Sequence, residues 1–192
     1  MKKQKNNFKG KRILITGHTG FKGSWLSLWM HHNKAKVLGI SDRVPTQPSH
    51  FKLLNIKGKL LSKMIDITDL NKLKKIFLTF KPDYVFHLAA QAIVKSSYEN
   101  PVRTWHSNLI GTVNVLECLR FVKKKTIAVI ITSDKAYKNL EIKRGYKESD
   151  VLKGYDPYGA SKSSADIAIN SYYHSYFSKK NSKVLISIAR AG

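Results

Sequence analysis

Apolar positions along the chain follow two alternating periods. Short runs of aliphatic and β-branched residues recur at Arg12–Thr16 (RILIT), Lys36–Ser41 (KVLGIS), 60–65, 84–88 (YVFHL), 126–132 (TIAVIIT) and 183–189. Near-continuous apolar runs suit strands buried on both faces, as in a parallel sheet. Between them, apolar residues return at helical spacing. Trp25, Leu26, Leu28 and Trp29 do so within 24–33, and Val102, Trp105, Leu109, Val113 and Leu116 within 101–121. Two further helices are expected from Thr68-Asp69 to about 80 and over 157–177. Asn100-Pro101 and Asp156-Pro157 each pair a capping side chain with proline at the first helical position. Strands alternating with helices predict an α/β fold: a doubly wound parallel sheet in the order 3-2-1-4-5-6.

The first strand runs into Gly17, with Gly20 and Gly23 following at three-residue spacing before the first helix. Strand, glycine turn and helix opening form a phosphate-binding βα turn. Gly17 allows the reversal, Gly20 lets backbone approach a pyrophosphate, and Gly23 allows the helix to pack on the strand. The helix start presents free N–H groups and partial positive charge to the phosphates.

Other candidates lie at the carboxyl ends of later strands. Asp42 stands 19 residues after Gly23, where a carboxylate holds the ribose hydroxyls of NAD. Arg43 beside it suits a 2′-phosphate, and a plain turn is the bland alternative. Asp66 and Ile67 border the adenine position, or Asp66 serves only to cap the next helix. Ala89, Ala90 and Gln91 leave room for a ligand at the sheet crevice. His87 reads as a core histidine, and Asn108 as a mid-helix amide that needs a partner. Tyr158 and Lys162, four apart on one helix, share a face. A free phenol, with a pKa of ~10, is a poor base at neutral pH. An ammonium one turn away, a helix start and an oxidised nicotinamide all favour its phenolate. Such a phenolate takes the proton of an alcohol as hydride leaves the same carbon. Ser133, Asp134 and Lys135 are delivered to the same edge, with a surface turn and ion pair as the bland alternative.

The chain has 192 residues and 42% hydrophobic content, a single domain's worth. Its one cysteine, Cys118, sits on an expected helix and reads as a buried structural thiol in a reducing compartment. Residues 1–10 read as a basic, disordered tail, leaving 11–192 as the folded domain. The apolar run after that tail is too short for a signal peptide, and nothing approaches a membrane span, so a cytoplasmic location is expected. The net charge of +23 admits an anionic partner. Lysines are nevertheless spread end to end, and no zinc-finger or RNA-binding signature appears. The charge reads as a solvated basic surface that also attracts phosphorylated substrates, with no nucleic-acid role and no metal site.

The segments TGHTGFKGSWL (16–26), HLAAQ (87–91), Asn108, TSDKAY (132–137) and YGASK (158–162) together resemble the extended short-chain dehydrogenase/reductase family. GHTGFKGSWL with TSDK and DPYGASK is similar in particular to its branch of 4,6-dehydratases acting on CDP-glucose. The resemblance implies NAD as cofactor. It adds Phe21, Lys22, Leu88 and Thr132 to the cofactor-binding set, alongside Tyr158 and Lys162. It also implies a redox cycle at a sugar, in which hydride leaves C4 while Tyr158 takes the hydroxyl proton and Ser133 bonds the C4 oxygen. Lys135, standing where relatives carry glutamate, then acts at C5, and Asp134 protonates the departing C6 hydroxyl. Hydride returns to C6, and the product is a 4-keto-6-deoxy sugar. Family members form dimers through helices matching 101–121 and 157–178. They are longer, with a C-terminal substrate domain, so a fragment, a truncated product or a split protein with a separate C-terminal chain is expected here.

Overall fold

A computed structural model describes residues 7–55, 58 and 60–192. Six parallel strands form one sheet in the order β3-β2-β1-β4-β5-β6, as the alternation predicts. They are β1 (Arg12–Thr16), β2 (Lys36–Ser41), β3 (Leu61–Met64), β4 (Tyr84–His87), β5 (Thr126–Ser133) and β6 (Val184–Ala191). The helices on its faces are α1 (Phe21–His32), a short α2 (His50–Leu53), α3 (Leu70–Phe80), a short α4 (Val94–Glu99), α5 (Pro101–Trp105), α6 (Gly111–Arg120) and α7 (Pro157–Tyr172).

The switch in strand order falls between β1 and β4, which pair in register from Ile13 with Tyr84 to Thr16 with His87. Two apolar layers flank the sheet. One gathers Leu14, Val85, Ala128 and Ile130 against Leu73, Leu116, Leu119 and Ile169 of the helices. The other gathers Ile13, Ile15, Val37 and Met30. Cys118 is buried in the first, and burial pushes its thiol up to about 12, in keeping with a structural role.

Several elements depart from the sequence expectation. Helix α1 begins at Phe21 rather than 24, because Gly20 supplies the extended residue ahead of its first turn. The long helix expected over 101–121 is interrupted by a π-helical turn, His106–Ile110, between α5 and α6. Helix α4 has no strong periodicity and was not expected. Of the basic tail expected over 1–10, residues 1–6 lie outside the described residues. Residues 7–10 form a turn instead, since Phe8 sets its ring edge-on to Trp29 and Tyr84, at centroid distances of 6.3 and 5.2 Å.

Two buried histidines tie the layers together. His18 sits at the glycine turn, with its ring nitrogens hydrogen-bonded to Ser41 and Ser62 at 2.9 and 2.7 Å. His87 joins Thr16 and Thr112 at 2.7 and 3.0 Å. Burial drives both pKa values down, that of His87 to about 3. Lys162 nearby adds to the effect on His87.

Two outcomes follow. Both histidines fold neutral but charge in the unfolded chain, so their effect on stability is nil above about pH 6.5 and grows as pH falls toward 3. Urea unfolding should therefore show stability dropping between pH 7 and 5, with a shallower slope in His87→Gln. A Cβ at Gly23 would lie 2.0 Å from the Gly17 carbonyl oxygen, whereas Gly145 has open space around it. Gly23→Ala should cost ~2 kcal/mol or more by thermal or urea unfolding, and Gly145→Ala should be near neutral.

Candidate active site

The glycine turn opens the site. Gly17 has φ +77, and a Cβ there would lie 2.7 Å from the Ala89 nitrogen, so the turn presses on the end of β4. A Cβ at Gly20 would meet only the Gly17 carbonyl, at 3.3 Å, and otherwise open space. The concavity in front of α1 is thus kept by the lack of side chains. Ser24 N donates to Gly20 O at 2.9 Å, and the amides ahead of it, at Phe21 and Lys22, are those that a helix start leaves open. Ser41 accepts from Thr19 N at 3.2 Å, and Thr19 Oγ1 donates to the Arg43 carbonyl. The turn is therefore fixed to the end of β2, where Asp42 stands.

Asp42 is ion-paired at the surface. Arg103 of α5 donates to its carboxylate at 3.2 Å, and Arg43 lies at 3.9 Å. Nothing in the sequence marks Arg103, which is 61 residues away. Asp66 accepts from both Thr68 N and Thr68 Oγ1, and Asp69 caps α3. Ile67 is buried beside it, against Gly111. Leu88, Ala89, Ala90 and Gln91 leave β4 at the same edge. Asn108 lies in the π-helical turn, a deformation that often marks functional sites. Its Oδ1 accepts from Gln91 N, and its Nδ2 donates to Gln91 O and Ser161 Oγ. The amide that sequence left unpartnered thus pins the β4 exit to α7.

Asp156 caps α7 by accepting from the N–H groups of Tyr158 and Gly159. Tyr158 and Lys162 are both buried on its first turns. Lys162 Nζ donates to the Ile131 carbonyl at 3.3 Å. Burial brings its pKa down to about 8, Asp166 pushing it back up and Lys22 lowering it further.

The Ser133-Asp134-Lys135 segment turns at the end of β5. Ser133 Oγ donates to Asp134 Oδ1 at 3.2 Å, and Lys135 Nζ lies 3.4 Å from Asp134 Oδ2. Gly159 backs onto this turn so closely that a Cβ would lie 2.8 Å from the Lys135 carbonyl oxygen. The Asp134 and Lys135 side chains are solvent-exposed, in contrast to Tyr158 and Lys162. Among the described residues, no group of histidines, cysteines and carboxylates could hold a metal ion, and no helix is long and apolar enough to cross a membrane.

A buried ammonium weakens the fold while it is charged. Its pKa falls from 10.5 to about 8, so the penalty is full below pH 8 and relaxes as pH rises toward 10.5. Lys162→Met should therefore gain up to ~3 kcal/mol at pH 7, measured by urea unfolding, and should lose the pH-dependent rise seen in the parent chain.

Comparison with known proteins places this arrangement. The profile of the GDP-mannose 4,6-dehydratase family matches residues 14–186. The chain is 44% identical to CDP-glucose 4,6-dehydratase of Salmonella typhimurium over 92% of its own length and 49% of that protein's. It is 32% identical to UDP-glucuronate 4-epimerase of Thermodesulfobacterium geofontis, over 85% of this chain and 51% of the relative. Among solved structures, UDP-glucose 4-epimerase of Thermus thermophilus in complex with NAD superposes with a TM-score of 0.78 at 26% identity, covering 93% of this chain and 54% of that one. The chain spans about half the length of the curated relatives it matches. With the family's profile matched from β1 into β6 and its parallel sheet in place, the chain belongs to the GDP-mannose 4,6-dehydratase family.

Proposed function

We propose that this chain is the cofactor-binding and catalytic part of an NAD-dependent nucleotide-sugar 4,6-dehydratase acting on CDP-glucose, a lyase. The observation that carries the reading is the meeting, at one sheet edge, of the Gly17–Gly23 cradle, the buried Tyr158 and Lys162, and the Ser133-Asp134-Lys135 turn. The Salmonella relative's name supplies the substrate class.

In this reading the cradle and the α1 start hold the pyrophosphate. Asp42 and Asp66 take the adenosine end, and Lys162 takes the nicotinamide ribose. NAD held there would supply the redox chemistry, a hydride taken up at C4 of the glucose unit and given back at C6. Tyr158 receives the C4 hydroxyl proton while Ser133 holds that oxygen. Lys135 removes the C5 proton, made acidic by the neighbouring ketone, and Asp134 protonates the C6 hydroxyl as water leaves. Asp134 and Lys135 lie side by side, 3.4 Å apart, and the step needs them as a carboxylic acid and a neutral amine. Their exposure fits a substrate that needs further cover, and positioning supplies much of the rate in such chemistry.

Several further assignments belong to the same proposal. The cover is the portion that the longer relatives carry, joined to this chain or supplied by a separate one. The protein works in the cytoplasm as a homodimer. Val102, Ile110, Ile167 and Tyr173, exposed on the α5 to α7 region, are the apolar residues such a dimer would bury.

The test is a chimera joining this chain to the C-terminal half of the Salmonella relative. It should dehydrate CDP-glucose, read from the ultraviolet absorbance of the 4-keto sugar in base. Tyr158→Phe should lower that rate by about 100-fold or more while still binding NAD by calorimetry. Full activity in Tyr158→Phe, or no NAD binding by the folded parent chain, would reject the assignment.

A further inference from the structure

The side chains of Asp134 and Lys135 are exposed, and their polar contacts run within the turn, to Ser133 and to each other. Their place in space is therefore set by backbone. The segment has an anchor on each side. Upstream, Thr132 and Ser133 pair with Arg190 and Ala191 in the β5–β6 ladder. Downstream, the Ala136 carbonyl accepts from Ser163 Oγ at 2.7 Å and from Lys153 N at 2.9 Å. Tyr137 N closes the turn on the Asp134 carbonyl at 3.0 Å. Between these anchors stand Asp134 and Lys135, the pair that the proposed function uses at C6 and C5.

Arg190 reaches both anchors. Its backbone lies opposite Thr132 in the ladder. Its Nη1 donates to the Tyr137 hydroxyl at 2.7 Å, and its guanidinium carbon lies 4.9 Å from the centre of the Tyr137 ring. The other two nitrogens, Nε and Nη2, donate to the two oxygens of Asp166 at 3.2 and 2.9 Å. Asp166, on α7, is fully buried and also accepts from Thr132 Oγ1 at 2.9 Å. A planar fork gripped at two points has a fixed direction, so its third nitrogen is aimed. Tyr137 is buried in turn, its ring stacked on that of Tyr146 with centroids 5.0 Å apart. The hydroxyl on that held ring ties the exit of the turn to the strand beside its entry. A buried ion pair is a poor source of stability. What this one supplies is direction.

We infer that Arg190 is a positioning residue for the loss of water: through Tyr137 it fixes the turn that carries Asp134 and Lys135, and Asp166 holds its guanidinium for that contact. The inference rests on Asp134 and Lys135 being the acid and base of the proposed function. Its consequence falls on one half of the chemistry. Oxidation at C4 belongs to Tyr158, on the first turn of α7. Loss of water across C5 and C6 belongs to the turn. A loosened turn therefore slows the second step and spares the first, because small misplacements of reacting groups cost rate.

The first measurement is amide hydrogen exchange in the 192-residue chain, read by NMR without any ligand. Arg190→Gln should speed exchange of the Lys135 and Tyr137 amides by about tenfold or more relative to those of β5. Tyr137→Phe keeps the Arg190–Asp166 pair and should speed the same amides by about threefold. The double variant should exchange no faster than Arg190→Gln alone, because both changes remove one link. Unchanged turn amides in folded Tyr137→Phe, or additive effects in the double variant, would overturn the inference. Should Arg190→Gln fail to fold, Tyr137→Phe decides alone. The second measurement uses the chimera with the C-terminal half of the Salmonella relative. There Tyr137→Phe should lower kcat about threefold with KM for CDP-glucose unchanged. The near-ultraviolet absorbance of reduced nicotinamide should also build up during turnover, since C4 oxidation then outruns loss of water. Faster exchange with unchanged kcat, or a lower kcat without that build-up, marks a merely structural tie and is equally fatal. If the parent chimera is inactive, the proposed function fails, and exchange still judges whether Arg190 holds the turn.

Discussion

Helix α1 comes down close upon the turn that precedes it. Position 23 stands so near the Gly17 carbonyl that no side chain fits between them. That contact sets the helix start against β1 and leaves the space before Gly20 open. The remaining features are aligned to this opening. Ser41 of β2 braces it through Thr19 and His18, and Ala89 packs beneath it. An opening of this kind is made by leaving out side chains, and its shape depends on the packing behind it.

The second constraint is electrostatic. The fold places an ammonium and a carboxylate in its interior, one turn apart, and surrounds them with neutral donors and one guanidinium. Such groups are poor sources of stability. Their retention beside Tyr158 fits a site in which charge is positioned ahead of the ligand. His87 shows the complementary choice. With hydroxyl partners on both ring nitrogens and a cation nearby, burial keeps it uncharged. A polar core can thus hold a fixed cation and a neutral imidazole close together.

The surface has a different character. The net charge of +23 is carried by lysines spread along the chain, and the ion pairs on the outside, such as Arg144 with Asp150, are exposed contacts that contribute little. Around Asp42 two exposed guanidiniums, those of Arg103 and Arg43, lie near one carboxylate at the end of β2.

Much of this was written in local sequence. The strand order, the glycine turn, the capped start of α7 and the shared face of Tyr158 and Lys162 follow from period, spacing and the few residue types that tolerate each backbone geometry. Such rules act over three or four neighbours, and nothing distant overrides them here. The π-helical turn at Asn108 was not legible, because its cause is an amide reaching Gln91 and Ser161 on other segments. Arg103 with Asp42, and Arg190 with Asp166, were equally hidden, since each pair is joined only when segments 61 and 24 residues apart are brought together. The turn at 7–10 was misjudged because composition alone does not show that Phe8 has two rings to pack on. Sequence by itself determined the alternation of strands and helices and the residue types brought to the sheet edge. Tertiary structure decided which charges are buried, which are paired and how strongly each is held, because desolvation and distance exist only once the chain has folded.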